Sequence, residues 1–153
     1  MEDFTIIIDT REQEGYSFSA PVLRQKLDAG DYSIVGFESQ VAVERKSLPD
    51  FIHTIIRQRQ RFYRELEKLM TFSSACIVVE ANFRDLIEGN FRSDVHANAL
   101  IGAVASISAG FVPVYFCSDR QASCRFVEEY LTHFHRKTTE CNKQPTPIKS
   151  GEE

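Results

Sequence analysis

Ala75-Cys76-Ile77-Val78-Val79-Glu80 is an unbroken apolar run, rich in β-branched residues and closed by a carboxylate. A strand with no polar face belongs in the interior of a sheet covered on both sides, the arrangement found in α/β proteins. Phe4-Thr5-Ile6-Ile7-Ile8-Asp9 has the same build, and Val112-Pro113-Val114-Tyr115-Phe116 reads as a third such strand. Between them, Asp31-Tyr32-Ser33-Ile34-Val35 and Val41-Ala42-Val43-Glu44 form two strands joined by a turn around Gly36, a hairpin.

The intervening stretches have helical character. Pro21 to Lys26 is expected to form one or two helical turns, with Pro21 at a first helical position. One long helix is expected from Leu48 to Met70, because Ile52, Ile55, Ile56, Tyr63, Leu66 and Met70 share one side of a 100° wheel. Arg57, Arg61, Arg64 and Lys68 fall on the opposite side, and Arg59 falls among the apolar positions. Residues 94–108 are small and apolar with Gly110 as a stop, and Asp119 opens a final helix to Lys137. Strands alternating with helices give a single α/β domain over residues 1–137 with a mixed, mostly parallel sheet flanked by helices. Residues 138–153 are polar and are expected to be a disordered tail.

Composition narrows the function classes. A chain of 153 residues, 42% hydrophobic and 26% charged, is one globular domain and neither disordered, collagen-like nor coiled coil. No apolar run approaches the roughly 20 residues that cross a bilayer, and Glu2 and Asp3 at the start do not fit a signal peptide. Cys76, Cys117, Cys124 and Cys141 show no metal-ligand spacing, so they read as reduced thiols of an intracellular protein, cytoplasmic or associated with nucleoid or nucleus. A net charge of −4 is unusual for a passive nucleic-acid binder but compatible with a nuclease, whose carboxylates are neutralised by metal. Arg57, Arg59, Arg61, Arg64 and Lys68 against Glu65 and Glu67 leave that stretch at +3 and the rest of the chain at −7.

The chemistry-bearing residues gather where strands meet loops. Asp9, Glu12, Asp31 and Glu44 occupy such positions, and strand ends share one edge of an α/β sheet. Carboxylates there suit a hard cation, Mg²⁺ or Mn²⁺. Glu44 and Lys46 are two apart on an extended segment and point to one face, so an ammonium stands beside the acid where phosphate chemistry would occur. Asp50 also has a plain role as a first-turn helix acid, and Glu80, which ends a strand facing the same edge and could touch the site, reads more simply as a strand-end acid. His53, His96, His133 and His135 form no ligand set in the sequence.

The segments Asp9-Thr10-Arg11-Glu12, Gly30-Asp31-Tyr32 and Glu44-Arg45-Lys46-Ser47-Leu48-Pro49-Asp50 occur in that order. They closely resemble the XPF-type nuclease domain family, whose signature is Gly-Asp, a spacer, Glu-Arg-Lys, three residues and Asp. Arg59-Gln60-Arg61-Phe62-Tyr63-Arg64-Glu65-Leu66 resembles the arginine-bearing helix that follows it, and the likeness spans roughly residues 4–137. It implies a restriction-endonuclease-like fold and Mg²⁺- or Mn²⁺-dependent cleavage of DNA, branched or at single-strand/duplex junctions, in DNA repair. Asp31 and Glu44 would then be metal ligands aided by the Arg45 carbonyl, Glu12 a further ligand or a water-mediated contact, Asp9 a supporting acid and Lys46 the catalytic lysine. Arg11 and Arg45 would pair with carboxylates or scissile phosphate, and Asp50 would brace the site. Many members continue into tandem helix-hairpin-helix motifs, and these 153 residues contain none.

Two further expectations concern partners. The basic stripe Arg57, Arg61, Arg64 and Lys68 would track the DNA backbone, with Arg59 nearer the metals. Phe126, Val127, Tyr130, Leu131 and Phe134, apolar at helical spacing, predict a homodimer, the state common in that family. The competing reading is a catalytically silent DNA-binding or partner subunit with a nuclease-like fold. A nucleotide phosphohydrolase would need a Gly-rich phosphate loop that the sequence lacks.

Overall fold

The structure, a computed structural model, describes residues 3–89 and 96–143. In chain order the elements are β1 (Ile6–Ile8), β2 (Val22–Arg24), β3 (Tyr32–Ile34), β4 (Val41–Ser47), α1 (Leu48–Arg57), α2 (Arg59–Met70), β5 (Ser74–Glu80), α3 (Phe83–Glu88), α4 (Ala97–Gly110), β6 (Val114–Phe116) and α5 (Arg120–Lys143). The strands form one sheet in the order β2-β1-β3-β4-β5-β6. β1–β2, β4–β5 and β5–β6 pair parallel, whereas β1–β3 and β3–β4 pair antiparallel. This is the mixed, mostly parallel sheet expected.

Alternation along the two longest strands divides the core. Ala42, Ile77 and Val79 face α1, α2 and α4, meeting Phe51, Phe62, Leu66 and Leu100. Val41, Val43, Cys76 and Val78 face the other way, against Val127 and Leu131 of α5. β4 and β5 run in register from Val41 opposite Ser74 to Ser47 opposite Glu80, so Glu44, Arg45 and Lys46 are held along one side by β5.

Four expectations need correction. Pro21–Lys26 is not helical: Val22–Arg24 extends along β1, with Ile6 N–H donating to Pro21 O and Gln25 N–H to Ile8 O. The backbone groups of β1 need a partner, and a strand beginning just after a proline fits the edge position. The helix from Leu48 to Met70 breaks at Gln58, whose backbone (φ −126°, ψ 37°) ends α1 and starts α2. The break re-phases the second half, so Phe62, Leu66 and Leu69 are buried while Met70 is exposed. The final helix runs on through 138–143 to Lys143, past the expected boundary, and residues 144–153 lie outside those described. α4 starts at Ala97, and residues 94–95 of its expected span also lie outside. Among the described residues no helix is long and apolar enough to cross a membrane.

Candidate active site

Asp31 and Arg45 come together through one glycine. Gly30 has φ +77°, and a Cβ there would lie 3.1 Å from the Ala42 Cβ and 3.2 Å from the Val43 carbonyl. Only glycine takes this left-handed turn against a neighbouring strand without strain. The turn delivers Asp31 beside β4. Its N–H donates to Val43 O at 2.8 Å, and its carboxylate accepts the Arg45 N–H at 2.7 Å. Backbone N–H and C=O of one strand residue point the same way, so the Arg45 carbonyl also lies on the Asp31 side, where β3 has not yet begun.

Glu44 and Lys46 continue the face of Ala42, toward α2. The Lys46 Nζ is 3.5 Å from Glu44 Oε2, both side chains being largely buried. Asp31 and Glu44 line a cleft of about 310 Å³ with Asp9, Arg11, Glu65 and Lys68. Burial, then the neighbouring Glu12 charge, pushes the Asp31 carboxyl up to about 6 against its Arg45 hydrogen bond. Burial, then the charge of Asp31, pushes Glu44 up to about 8, despite Lys46. The two acids are short of positive charge.

Asp9 differs. Its carboxylate accepts from Leu27 N–H at 2.8 Å, Arg11 N–H at 3.2 Å and Arg11 Nε at 2.8 Å. Burial pushes its carboxyl up, but these donors and the Arg11 guanidinium outweigh it and hold it below the usual range. Asp9 therefore folds the loop under the cleft rather than offering free oxygens to it.

The opposite face of β4 carries a closed ion network. Arg45 Nε is 2.9 Å from Glu12 Oε2, and Arg45 Nη1 is 2.8 Å from Glu80 Oε1. The other Glu80 oxygen accepts the Tyr16 hydroxyl at 2.5 Å and stands 3.8 Å from Arg120 Nη1. The structure thus commits the Glu12 carboxylate, expected beside the metal, to Arg45, and Arg45 pairs with carboxylates on the face away from Lys46.

The remaining expected residues scatter. Asp50 sits exposed in the first turn of α1, where Ser47 is the N-cap and accepts the Asp50 N–H at 3.3 Å. Arg57, Arg61, Arg64 and Lys68 are exposed, with Arg61 3.7 Å from Glu65 and Lys68 Nζ donating to Asp28 O at 3.4 Å. Arg59 is also exposed, not inward-facing. As the first residue of α2 after the break, it lies beyond the core and lines a groove against α4 rather than the acid cleft.

Among the described residues, no group of three or more His, Cys, Asp or Glu is placed to hold a metal ion. A pair of carboxylates nevertheless fits Mg²⁺ or Mn²⁺, since Mg²⁺ is commonly held by one or two carboxylates and keeps several waters. Two residues near the site escaped the sequence reading. Glu65 lies one helical turn from Arg61, a spacing visible in the sequence, but only the re-phasing at Gln58 turns it into the cleft. Tyr16 sits in a polar loop and has no periodicity to mark it.

Comparisons with known proteins bear on the family and the fold. The profile of the ERCC4 domain family matches residues 8–130. A protein of Methanocaldococcus jannaschii, named as an ATP-dependent RNA helicase, is 32% identical over 120 residues; the match takes in 76% of this chain. The chain spans only 14% of that relative's length. Among solved structures, XPF from Aeropyrum pernix superposes with a TM-score of 0.70 at 19% identity, covering 97% of this chain and 67% of that one. At that identity the likeness establishes a shared fold.

Proposed function

The chain belongs to the ERCC4 domain family of XPF-type nucleases, and on that premise we propose that it is a metal-dependent DNA endonuclease acting on branched DNA or single-strand/duplex junctions. The observation that carries the reading is the Asp31–Glu44 pair. Two carboxylates, both pushed up in pKa, share a cleft with the Lys46 ammonium beside one of them. Acids shifted by burial and by a specific neighbouring charge, sitting in a cleft, are candidates for a functional site.

In this reading Asp31, Glu44 and the Arg45 carbonyl would hold Mg²⁺ or Mn²⁺. A divalent ion held there lowers the pKa of water and neutralises charge on the phosphoryl oxygens. The Arg45 N–H orients Asp31. Lys46 steadies the negative charge that builds as water oxygen attacks phosphorus and the ester oxygen departs. Arg11, 65% exposed at the cleft mouth beside Asp9, reaches the scissile phosphate or its neighbour. On α2, Arg61, Arg64 and Lys68 contact the backbone away from the cut, contacts that carry no base information.

The protein acts as a homodimer in this reading. Val127 and Leu131 are spent on its own sheet, which leaves Phe126, Tyr130 and Phe134, half-buried, for a partner. They line a groove of about 720 Å³ with Glu129, His133 and Lys137. Light scattering at tens of micromolar should give twice 17.5 kDa, and a monomer would refute this part.

The deciding experiment incubates the chain with Mg²⁺ or Mn²⁺ and labelled flap, splayed-arm, nicked and linear DNA. Cleavage of branched forms, absent with EDTA and in Asp31→Ala, is the expected result. No cleavage of any substrate would leave the silent binding subunit.

A further inference from the structure

The network behind β4 joins three segments that are distant in sequence. Glu80 ends β5, Tyr16 lies in the loop that carries Arg11 and Glu12, and Arg120 opens α5. Glu80 uses both carboxylate oxygens: Oε1 on Arg45 at 2.8 Å, Oε2 on the Tyr16 hydroxyl at 2.5 Å. Arg120 stacks over the Tyr16 ring at 4.9 Å and donates to the carbonyls of Glu14 and Gly15. The Tyr16 ring also stacks on Tyr32, the first residue of β3, at 5.2 Å.

We propose that Glu80 is a positioning residue of the catalytic centre, with Tyr16 and Arg120 as its supports. Through the Arg45 guanidinium it fixes the peptide whose N–H holds Asp31, and through Tyr16 it fixes the loop that supplies Arg11. The inference rests on the nuclease reading above, because it assigns Glu80 a purpose in that reaction.

The geometry distinguishes this role from simple charge burial. Arg45 already has a full counter-charge in Glu12, at 2.9 and 3.3 Å. A second carboxylate adds little neutralisation but adds a second anchor, so the guanidinium cannot swing about one partner. Arg45 stands between Glu44 and Lys46, and rotation of its backbone would displace both cleft side chains and the N–H on Asp31. Groups that orient metal-binding side chains this way typically change metal affinity or activity by about 10–100-fold when removed.

Three variants test it: Glu80→Gln, Tyr16→Phe and, as a control, Glu128→Gln. Glu128 accepts the N–H groups of Ser19 and Ala20 at 3.0 and 2.9 Å, so it ties down the far end of the same loop without touching Arg45. Single-turnover cleavage, DNA affinity, thermal midpoint and Mn²⁺ affinity without DNA are measured for each. Glu80→Gln should slow cleavage and weaken Mn²⁺ binding by about 10-fold or more, with DNA affinity within about twofold of the parent. Tyr16→Phe should do the same to a smaller degree. Glu128→Gln should lower the thermal midpoint and leave both rate and Mn²⁺ affinity alone.

Parental rate and Mn²⁺ affinity in a folded Glu80→Gln would overturn the proposal. If Glu80→Gln does not fold, the same two readouts in Tyr16→Phe decide. A parent chain that binds Mn²⁺ but cleaves no DNA would defeat the nuclease reading alone, and the Mn²⁺ comparison would still judge Glu80.

Discussion

Glu44 and Lys46 on one face of β4 and Arg45 on the other are consecutive residues with opposite fates. Behind the strand, Arg45 and Arg120 meet Glu12 and Glu80, and the phenol of Tyr16 takes the last oxygen. Before it, Glu44 has the Lys46 ammonium and Asp31 the Arg45 N–H, and Arg11 and Lys68 line the same cleft with no ion pair to either acid among the described residues. The same strand, with the same alternation, satisfies its charges on one side and leaves them wanting on the other. That asymmetry is what the proposed metal site rests on: the fold pairs its buried acids on one face and leaves Asp31 and Glu44 raised in pKa on the other.

The comparison is broken most severely by removing the wanting side. Asp31→Ala or Glu44→Ala should reduce cleavage about a thousandfold or more, since a bound metal supplies several kcal/mol of charge stabilisation at about 1.4 kcal/mol per tenfold. DNA affinity should hold within about threefold, because in the proposed reading these acids hold a cation and not phosphate. Cleavage at the parental rate would show that the cleft is not the site.

Removing Arg45 tests the satisfied side. Arg45→Ala leaves Glu12 and Glu80 buried against each other, and breaking a buried pair in this way costs about 3–5 kcal/mol. Urea denaturation should report that loss; a change below about 1 kcal/mol would mean that water already screens the network.

A pH titration sharpens the contrast. The Asp31 and Glu44 carboxyls are raised to about 6 and about 8. The stability they contribute is therefore whole below the ordinary carboxylate range and is lost as pH climbs through those values. The metal-free thermal midpoint should fall between about pH 4 and pH 8, and Mn²⁺ should restore more of it at pH 8 than at pH 6, because binding must displace the protons. Asp9, held low, works in the opposite sense: its contribution is lost as pH drops below the usual carboxylate range. A flat profile that Asp31→Asn leaves unchanged would remove the charge argument.

The smallest effect concerns α2. Replacing Arg61 and Arg64 together by Ala should flatten the log–log salt dependence of DNA binding by about 1–2 and weaken binding alike on unrelated sequences. An unchanged slope would make this a solvated helix face.

The central strands, the hairpin and the closing helix were legible because each rests on an unbroken period. Ile6–Ile8 and Ala75–Val79 are apolar on both faces, and Asp119 does cap α5, accepting the Ala122 N–H at 2.8 Å. The Gly30-Asp31 and Glu44-Arg45-Lys46 elements were legible for chemical reasons, and the structure brings Asp31 and Glu44 into one cleft. What failed depended on distant partners. Val22–Arg24 is a strand because β1 has an open edge, not because of its own residues. Gln58 is an ordinary helix former, so nothing local announces the break. The pairing of Glu12 with Arg45 spans 33 positions, and no spacing rule links them.

The Asp31–Glu44 pair has a consequence for how such a chain changes over generations. In the metal-free fold burial, and for Glu44 the charge of Asp31, disfavours the ionised acids, so replacing Glu44 with a neutral residue of similar size would make the protein sturdier. Idle copies should therefore lose these residues first while keeping Arg45, whose loss would leave the buried Glu12 and Glu80 without their shared partner. Asymmetric decay, with the cleft emptied and its backing intact, is the scar that abandonment of the chemistry would leave in this architecture.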